Sequence, residues 1–242
     1  MAHALNGPSV VRNTLLSSMP PAELDGLRSR LTRVRLVHGQ ILHEFNERIE
    51  QVFFIEQGMI SLVAEADGSG TNVEVGVIGR EGVVGAPAVF DPGAISFNRA
   101  MVQIAGGGLR ISASDLRDFV AASPSLLSGL HRSLQVILAQ SSQTAACNSR
   151  HTLPERCARW LLMAHDRAEG DELPLTQEFL AIMLAVRRSG VTVAMGSLQE
   201  AGLIRHSRGR VTVADRAGLE AAACDCHARV RAFSAARSSA RP

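Results

Sequence analysis

No proline interrupts the chain between Pro124 and Pro154. Ser123 suits an N-cap and Pro124 a first helical position, because the opening N–H groups of a helix have no intrahelical partner and proline lacks that donor anyway. The stretch allows one helix of about thirty residues. A helix of that length must bury an apolar stripe against something. Leu127, Leu130, Leu134, Ile137, Ser141, Thr144 and Asn148 recur at alternating spacings of three and four. That is a heptad seam, apolar in its first half and polar in its second. It predicts a homodimer built on this helix, with packing onto the chain's own domain as the alternative. The polar half would face a cavity or tolerate rearrangement.

What precedes the helix reads differently. "PPAELDGLRSRL" places Leu24, Leu27 and Leu31 at helical spacing. From Val34 to Ile111 short apolar segments follow: "VRLV", "QVFFI", "MISLVAE", "NVEVGVI", "AMVQIA" and "GLRIS". Between them lie "HGQ", "EQG", "ADGSGTN", "IGREG", "FDPGA" and "AGGG". Short strands parted by such breakers predict an antiparallel barrel or sandwich. "SASDLRDFVAAS" then reads as a short helix capped by Ser112 or Ser114.

The last third is helical: "PERCARWLLMAHDR", an acidic loop "AEGDELP", then "LTQEFLAIML" with Thr176 as N-cap. After a very short link comes "RRSGVTVAMGSLQEAGLI", from Arg187 to Ile204. Two helices so close predict a helix-turn-helix. Val191, Met195 and Leu198 form a stripe that can pack on Phe179, Leu180, Met183 and Leu184, and Gly202 stands where a C-cap glycine belongs. "LIRHSRGRVTVA" reads as a hairpin turning at Arg208-Gly209, which would be a wing. Five arginines (187, 188, 205, 208, 210) face one acid, Glu200, between Val186 and Arg210, although the whole chain carries only +2. Such a local excess favours a polyanion. A reading helix points its N-terminus into the major groove, where its dipole and orphan N–H groups favour phosphate. The predicted DNA contacts are Arg187, Arg188, Ser189, Gly190, Thr192, Thr176, Arg208 and Arg210, with Gly190 lacking a side chain so that the helix tip approaches closely. Aromatic residues are 4% and tyrosine is absent, which argues against a base-stacking platform for single strands or RNA loops.

On this order of parts the chain resembles the Crp/Fnr transcription regulators over roughly residues 15–222. The residues that carry the resemblance are "QVFFIEQGMISLV", the long helix after "SP", and "LTQEFLAIMLAVRRSGVTVAMGSLQEAGLIRHSRGRVTV". It implies an α+β chain: an N-terminal β-roll (a double-stranded β-helix like cyclic-nucleotide-binding domains) over 1–122, a dimerisation helix over 123–153, and a winged helix-turn-helix over 154–242 with a frayed tail. It also implies a homodimer on a near-palindromic operator, partnership with RNA polymerase, and a small-molecule effector of unknown identity. Members that bind cyclic AMP carry Gly-Glu at a strand end and Arg-Ser after a loop. Here Gly85 fits, but Ala86 stands in place of the glutamate, and Asn98-Arg99 stands one position off the second pair. Ser141 and Ser142 match the helix position that touches the base. Cyclic-AMP binding is not expected without the ribose acceptor, and no other cofactor is implied. The reading helix also departs from Arg-Glu-Thr-Val-Gly-Arg, so a different operator is expected. The alternative is a sensor module whose main role is ligand or protein binding.

Enzyme motifs are missing: there is no Gly-x-Ser-x-Gly, and no lysine for a P-loop. His38 and His43 are wrongly spaced for a cupin metal site. Iron–sulfur chemistry would need a cysteine cluster, and the first cysteine is Cys147. In "CDCH", Cys224, Cys226 and His227 offer three ligands and would need a fourth from elsewhere; reduced thiols and no metal are expected. "MAHALNGPSVVRN" has no apolar core of a signal peptide, and no run approaches a membrane span. The cytoplasm is the expected location.

Overall fold

The computed structural model describes residues 3–4, 10–66 and 72–239. Most of "ADGSGTN" and part of the N-terminal stretch read for a leader lie outside them. In chain order the elements are β1 (His3–Ala4), α1 (Thr14–Ser17), α2 (Pro21–Arg28), β2 (Thr32–Leu36), β3 (Ile41–His43), β4 (Gln51–Glu65), β5 (Asn72–Ile78), β6 (Val83–Val84), α3 (Pro87–Phe90), β7 (Arg99–Ser112), α4 (Ala113–Val120), α5 (Pro124–Arg150), α6 (Leu153–His165), β8 (Glu172–Pro174), α7 (Gln177–Leu184), α8 (Arg188–Glu200), β9 (Ile204–Ser207), β10 (Arg210–Val213), α9 (Arg216–Ala222) and α10 (Cys226–Ser239).

The N-terminal sheet is antiparallel, in the order β1-β2-β7-β4-β5, with β3 also on β7 and β6 also on β4. Its spine is the pairing of β4 with β7, from Gln51↔Ser112 to Val63↔Arg99. The expected breakers "EQG" and "AGGG" therefore lie inside strands: "QVFFI" and "MISLVAE" are one strand, as are "AMVQIA" and "GLRIS". The reason is steric. Gly58 has φ +89°, and a Cβ on Gly106 would collide with the Gln57 carbonyl. The ladder shifts register between Ile55 and Ile60, so these glycines carry bulges that curl two long strands into a roll instead of ending them. Phe53, Ile55, Ile60, Val84, Ala100 and Val102 fill one core of the roll. A second joins Phe54, Leu109 and Ile111 to Leu116 of α4 and to Leu126 and Leu130 of α5.

Helix α5 runs 27 residues and is capped by Ser123, whose hydroxyl accepts from the Leu126 N–H. Its buried face is Leu126, Gly129, Leu130, Ser133, Gln140 and Cys147. Leu130, expected to face a second copy, is 0% exposed against the chain's own roll, which corrects that assignment. Leu127, Leu134 and Ile137 are half-buried against the roll as well. Gln140 accepts from the Val77 N–H, and the Ser141 hydroxyl donates to the Val75 carbonyl at 3.0 Å, so these two residues dock α5 on β5, while Thr144 accepts from Arg159 of α6 and Asn148 is exposed.

The tail from Arg231 is expected to fray, but residues 231–239 continue α10, which starts at Cys226 and packs on α5 and α6. Alanine and arginine are strong helix formers, and the packing supplies what a lone helix lacks. Among the described residues no single helix is long and apolar enough to cross a membrane.

Candidate nucleic-acid interface

The last core gathers α6, α7, α8 and a three-stranded sheet, β8-β10-β9. Thr176 caps α7, its hydroxyl accepting from the Phe179 N–H at 3.2 Å. Helices α7 and α8 are inclined at 104°, within the usual range for a helix-turn-helix. Leu180, Met183 and Leu184 meet Val191, Ala194, Met195 and Leu198 in the buried seam between them. Trp160 and Leu161 of α6 close it from below, and Ile204, Val211 and Val213 close it from the sheet. Each of the leucine, valine, isoleucine and methionine side chains contributes about 1.5–3 kcal/mol when fully buried. Gly202 takes φ +74° after α8, which lets the Leu203 N–H return to the Leu198 carbonyl.

The turn between the helices is made by Ala185 at φ 53°, ψ 49°. A side chain there crowds the following carbonyl by roughly 1–2 kcal/mol. Ala185→Gly should therefore stabilise the chain by about 0.5–1 kcal/mol, because part of the relief is offset by greater freedom of the unfolded chain. A urea titration would read this as a higher midpoint with unchanged slope.

Arg187 occupies the N-cap of α8, and no side chain caps that helix. Its first N–H groups thus point outward beside Arg187 and Arg188, both exposed. The outward face continues through Ser189, Thr192, Val193 and Gln199, with Gly196 among them. The Thr192 hydroxyl donates to Gln177 Oε1 at 2.9 Å, which ties the two helices at their exposed edge. Arg188 pairs with Glu178 at 2.9 Å, and Arg210 pairs with Glu172. These acids come from α7 and β8, so counting charges along one stretch of sequence overstated the free positive charge. Exposed pairs of this kind are worth little and exchange readily for a phosphate. Arg187, Arg205 and Arg208 form no ion pair among the described residues. Arg208, at φ 29°, and Gly209, at φ 78°, make the wing tip, and Gly209 lies close to Thr176. The expected acidic loop ends in β8, which pairs with β10 and makes the wing three-stranded.

Two glycines of α8 differ in their surroundings. A Cβ on Gly190 would stand 3.0 Å from Leu153 Cδ2, so the missing side chain also serves the packing of α6 under α8. On Gly196 a Cβ would meet nothing within 4 Å. Gly196 and exposed Val193, at 73%, are surface features that the sequence reading missed. Helical periodicity gives the signal: both fall on the face opposite Val191, Met195 and Leu198.

The proposed effector residues are less coherent. Gly85 (φ +89°) brings its backbone against Gln51 and His43, and Ala86 is buried. Arg99 donates to Glu44 at 2.7 Å and lies over the Phe45 ring, 4.8 Å from its centroid. Asn98 uses its carbonyl to accept from the Ser96 hydroxyl. Ser141 is spent on β5, and Ser142 is exposed. Of the "CDCH" residues, His227 bonds Asp166 at 2.8 Å, away from Cys224 and Cys226.

Comparison with known proteins agrees with the geometry. Residues 155–222 match the model of the Crp-like helix-turn-helix domain. Among curated proteins no sequence matches the chain. Similar solved structures include FixK2 from Bradyrhizobium japonicum (16% identity, TM-score 0.67, covering 80% of this chain and 98% of that one). Another is a CRP-family transcriptional regulator from Thermus thermophilus (21%, 0.65, 78% and 96%). A third is the c-di-GMP-responsive global regulator CLP from Xanthomonas campestris (16%, 0.64, 80% and 99%). Residues 155–222 thus match a Crp-like helix-turn-helix domain, and the chain has the same fold as these solved transcription regulators.

Proposed function

We propose that this chain is a sequence-specific regulator of transcription, without enzymatic activity, that binds duplex DNA as a cytoplasmic homodimer. The observation that carries it is the outward face of α8: an uncapped, arginine-flanked N-terminus continuous with Ser189, Thr192, Val193 and Gly196 and flanked by the wing. In the groove Arg188 reads a guanine edge, Val193 meets a thymine methyl, and Arg208 takes a phosphate. Two copies place their reading helices on half-sites about one helical turn apart, and RNA polymerase is the downstream partner. The dimer forms on the outward row of α5, where Leu138 is 69% exposed and Phe90 stacks on His131 at 4.9 Å. Residues 1–122 act as the input module, 123–153 as the dimer helix and 154–242 as the reading module.

The input is not cyclic AMP in this proposal. No carboxylate stands at Ala86, Arg99 is engaged by Glu44, and apolar side chains fill the roll beside them. The similar regulator CLP is c-di-GMP responsive.

Selection of bound sequences from a random duplex pool, followed by titration of the winner, tests the reading. Arg188→Ala should cost about 1–3 kcal/mol on the selected site and relax base choice at one position, whereas Arg208→Ala should weaken all sequences alike and reduce the salt slope by about one. No duplex binding at low salt would remove the proposal.

A further inference from the structure

Helix α5 ends with Cys147 and, one turn later, His151 at its C-cap. The junction of α9 with α10 brings Cys224 and Cys226 to the same place. The four ligand atoms lie within 4.8 Å of one another, and the three cysteines are buried. Cys147 Sγ is 3.5 Å from Cys224 Sγ, and Cys226 Sγ is 3.6 Å from His151 Nδ1. We propose that Cys147, His151, Cys224 and Cys226 form a structural zinc site that fixes the link between the long helix and the DNA-reading module.

The geometry selects the ion. Zinc–sulfur bonds of about 2.3 Å in a tetrahedron place ligand atoms about 3.5–3.8 Å apart, which is the spacing of both pairs. Three thiolates and an imidazole suit zinc better than harder cations. A cubane iron–sulfur cluster needs a wider ring, because its own irons and sulfides lie between the thiolates. A single disulfide between Cys147 and Cys224 would leave Cys226 and His151 converging on nothing.

The surroundings supply the outer contacts that such a centre requires. Gln143 Nε2 donates to Cys226 Sγ at 3.0 Å, the bond a thiolate ligand accepts. Arg159 is buried, donates to Thr144 Oγ1 at 2.9 Å, and leaves its Nε without a partner. Arg156 also has a buried Nε without a partner. Neither arginine has a carboxylate within ion-pair distance among the described residues. Arg159 is buried and Arg156 half-buried, and their enclosed Nε groups are left without an acceptor, which is costly. On binding Zn2+, three thiol protons pass to solvent and the ion with three thiolates and a neutral imidazole carries −1, which the arginines offset. Residues 151 and 152 are all that separate α5 from α6. The metal therefore fastens the point where the reading module leaves the long helix. The site stands apart from the reading as a DNA regulator, since metal content is measured without DNA.

The test is metal analysis of the reduced full-length chain, purified without chelator from zinc-supplemented cells. One zinc per chain is expected. Loss of a group that merely orients a ligand lowers metal affinity roughly 10–100-fold, the range expected for Gln143→Ala. Cys226→Ser and His151→Ala should exceed it, while His227→Asn keeps its zinc. Should the ligand variants precipitate, Co2+ added to the metal-free wild-type chain should give the visible absorption of a tetrahedral sulfur-rich site. A reduced chain that takes up neither zinc nor cobalt overturns the proposal. So does bound iron with a visible chromophore, or zinc retained by both ligand variants.

Discussion

Glu74→Gln should yield a protein that is more stable than the wild type at pH 8 and indistinguishable from it near pH 4. Glu74 lies on β5, fully enclosed, where it accepts from the Ser61 hydroxyl and from Trp160 Nε1 of α6, each at 2.6 Å. Burial pushes its carboxyl up to about 7 from 4.5, against the opposing pull of those two hydrogen bonds and of Arg159 and Arg167. The folded state therefore holds a proton that the unfolded chain releases, and stability falls as pH rises from about 4.5 to about 7. Above that window the wild type carries a buried charge, at a cost of order 3 kcal/mol. Glutamine keeps the acceptor for Trp160 and removes the charge. Urea midpoints of the two proteins should therefore diverge through that window and stay apart above it. Parallel curves from pH 4 to pH 8 would show that Glu74 titrates as an ordinary carboxyl.

Glu74 also shows which parts of the molecule a sequence exposes. The helix-turn-helix was legible because its determinants are local: Thr176 as a cap, the Val191, Met195 and Leu198 stripe, Gly202 after the helix, and a glycine in the wing turn. Helix α5 was legible from Ser123 and Pro124, but its orientation was not. Leu130 turns inward onto the apolar cluster that joins the roll to α5, a surface only the folded chain reveals. Gly58 and Gly106 read as strand ends, since the same residue serves a turn and a bulge and only the partner strand decides between them. The cysteine cluster needed residues 77 positions apart, from Cys147 to Cys224, and His151 replaced the nearer His227 because Asp166 holds the latter. Burial of one glutamate on a strand of alternating character leaves no mark on the sequence at all.

Gly196→Glu should move stability and DNA binding in opposite directions. Glycine inside a helix is worse than an ordinary residue by about 0.5–1 kcal/mol, and a Cβ at this position meets nothing within 4 Å. The substituted chain should thus melt at the same temperature or a few degrees higher. On DNA the change is adverse twice over. In the proposed complex the side chain would fill the gap through which α8 meets the groove, between Thr192 and Val193 on one turn and Gln199 on the next. It also sets a carboxylate against phosphates and base-edge acceptors, and like charges so placed cost several kcal/mol. Affinity for the selected site should fall by a factor of at least about 100. Gly196→Ala should share the gain in stability and lose much less affinity, which separates bulk and charge from helix propensity. Undiminished binding by the glutamate variant would mean that this face of α8 does not enter the groove, and the duplex contacts would then have to be sought on another face of the domain.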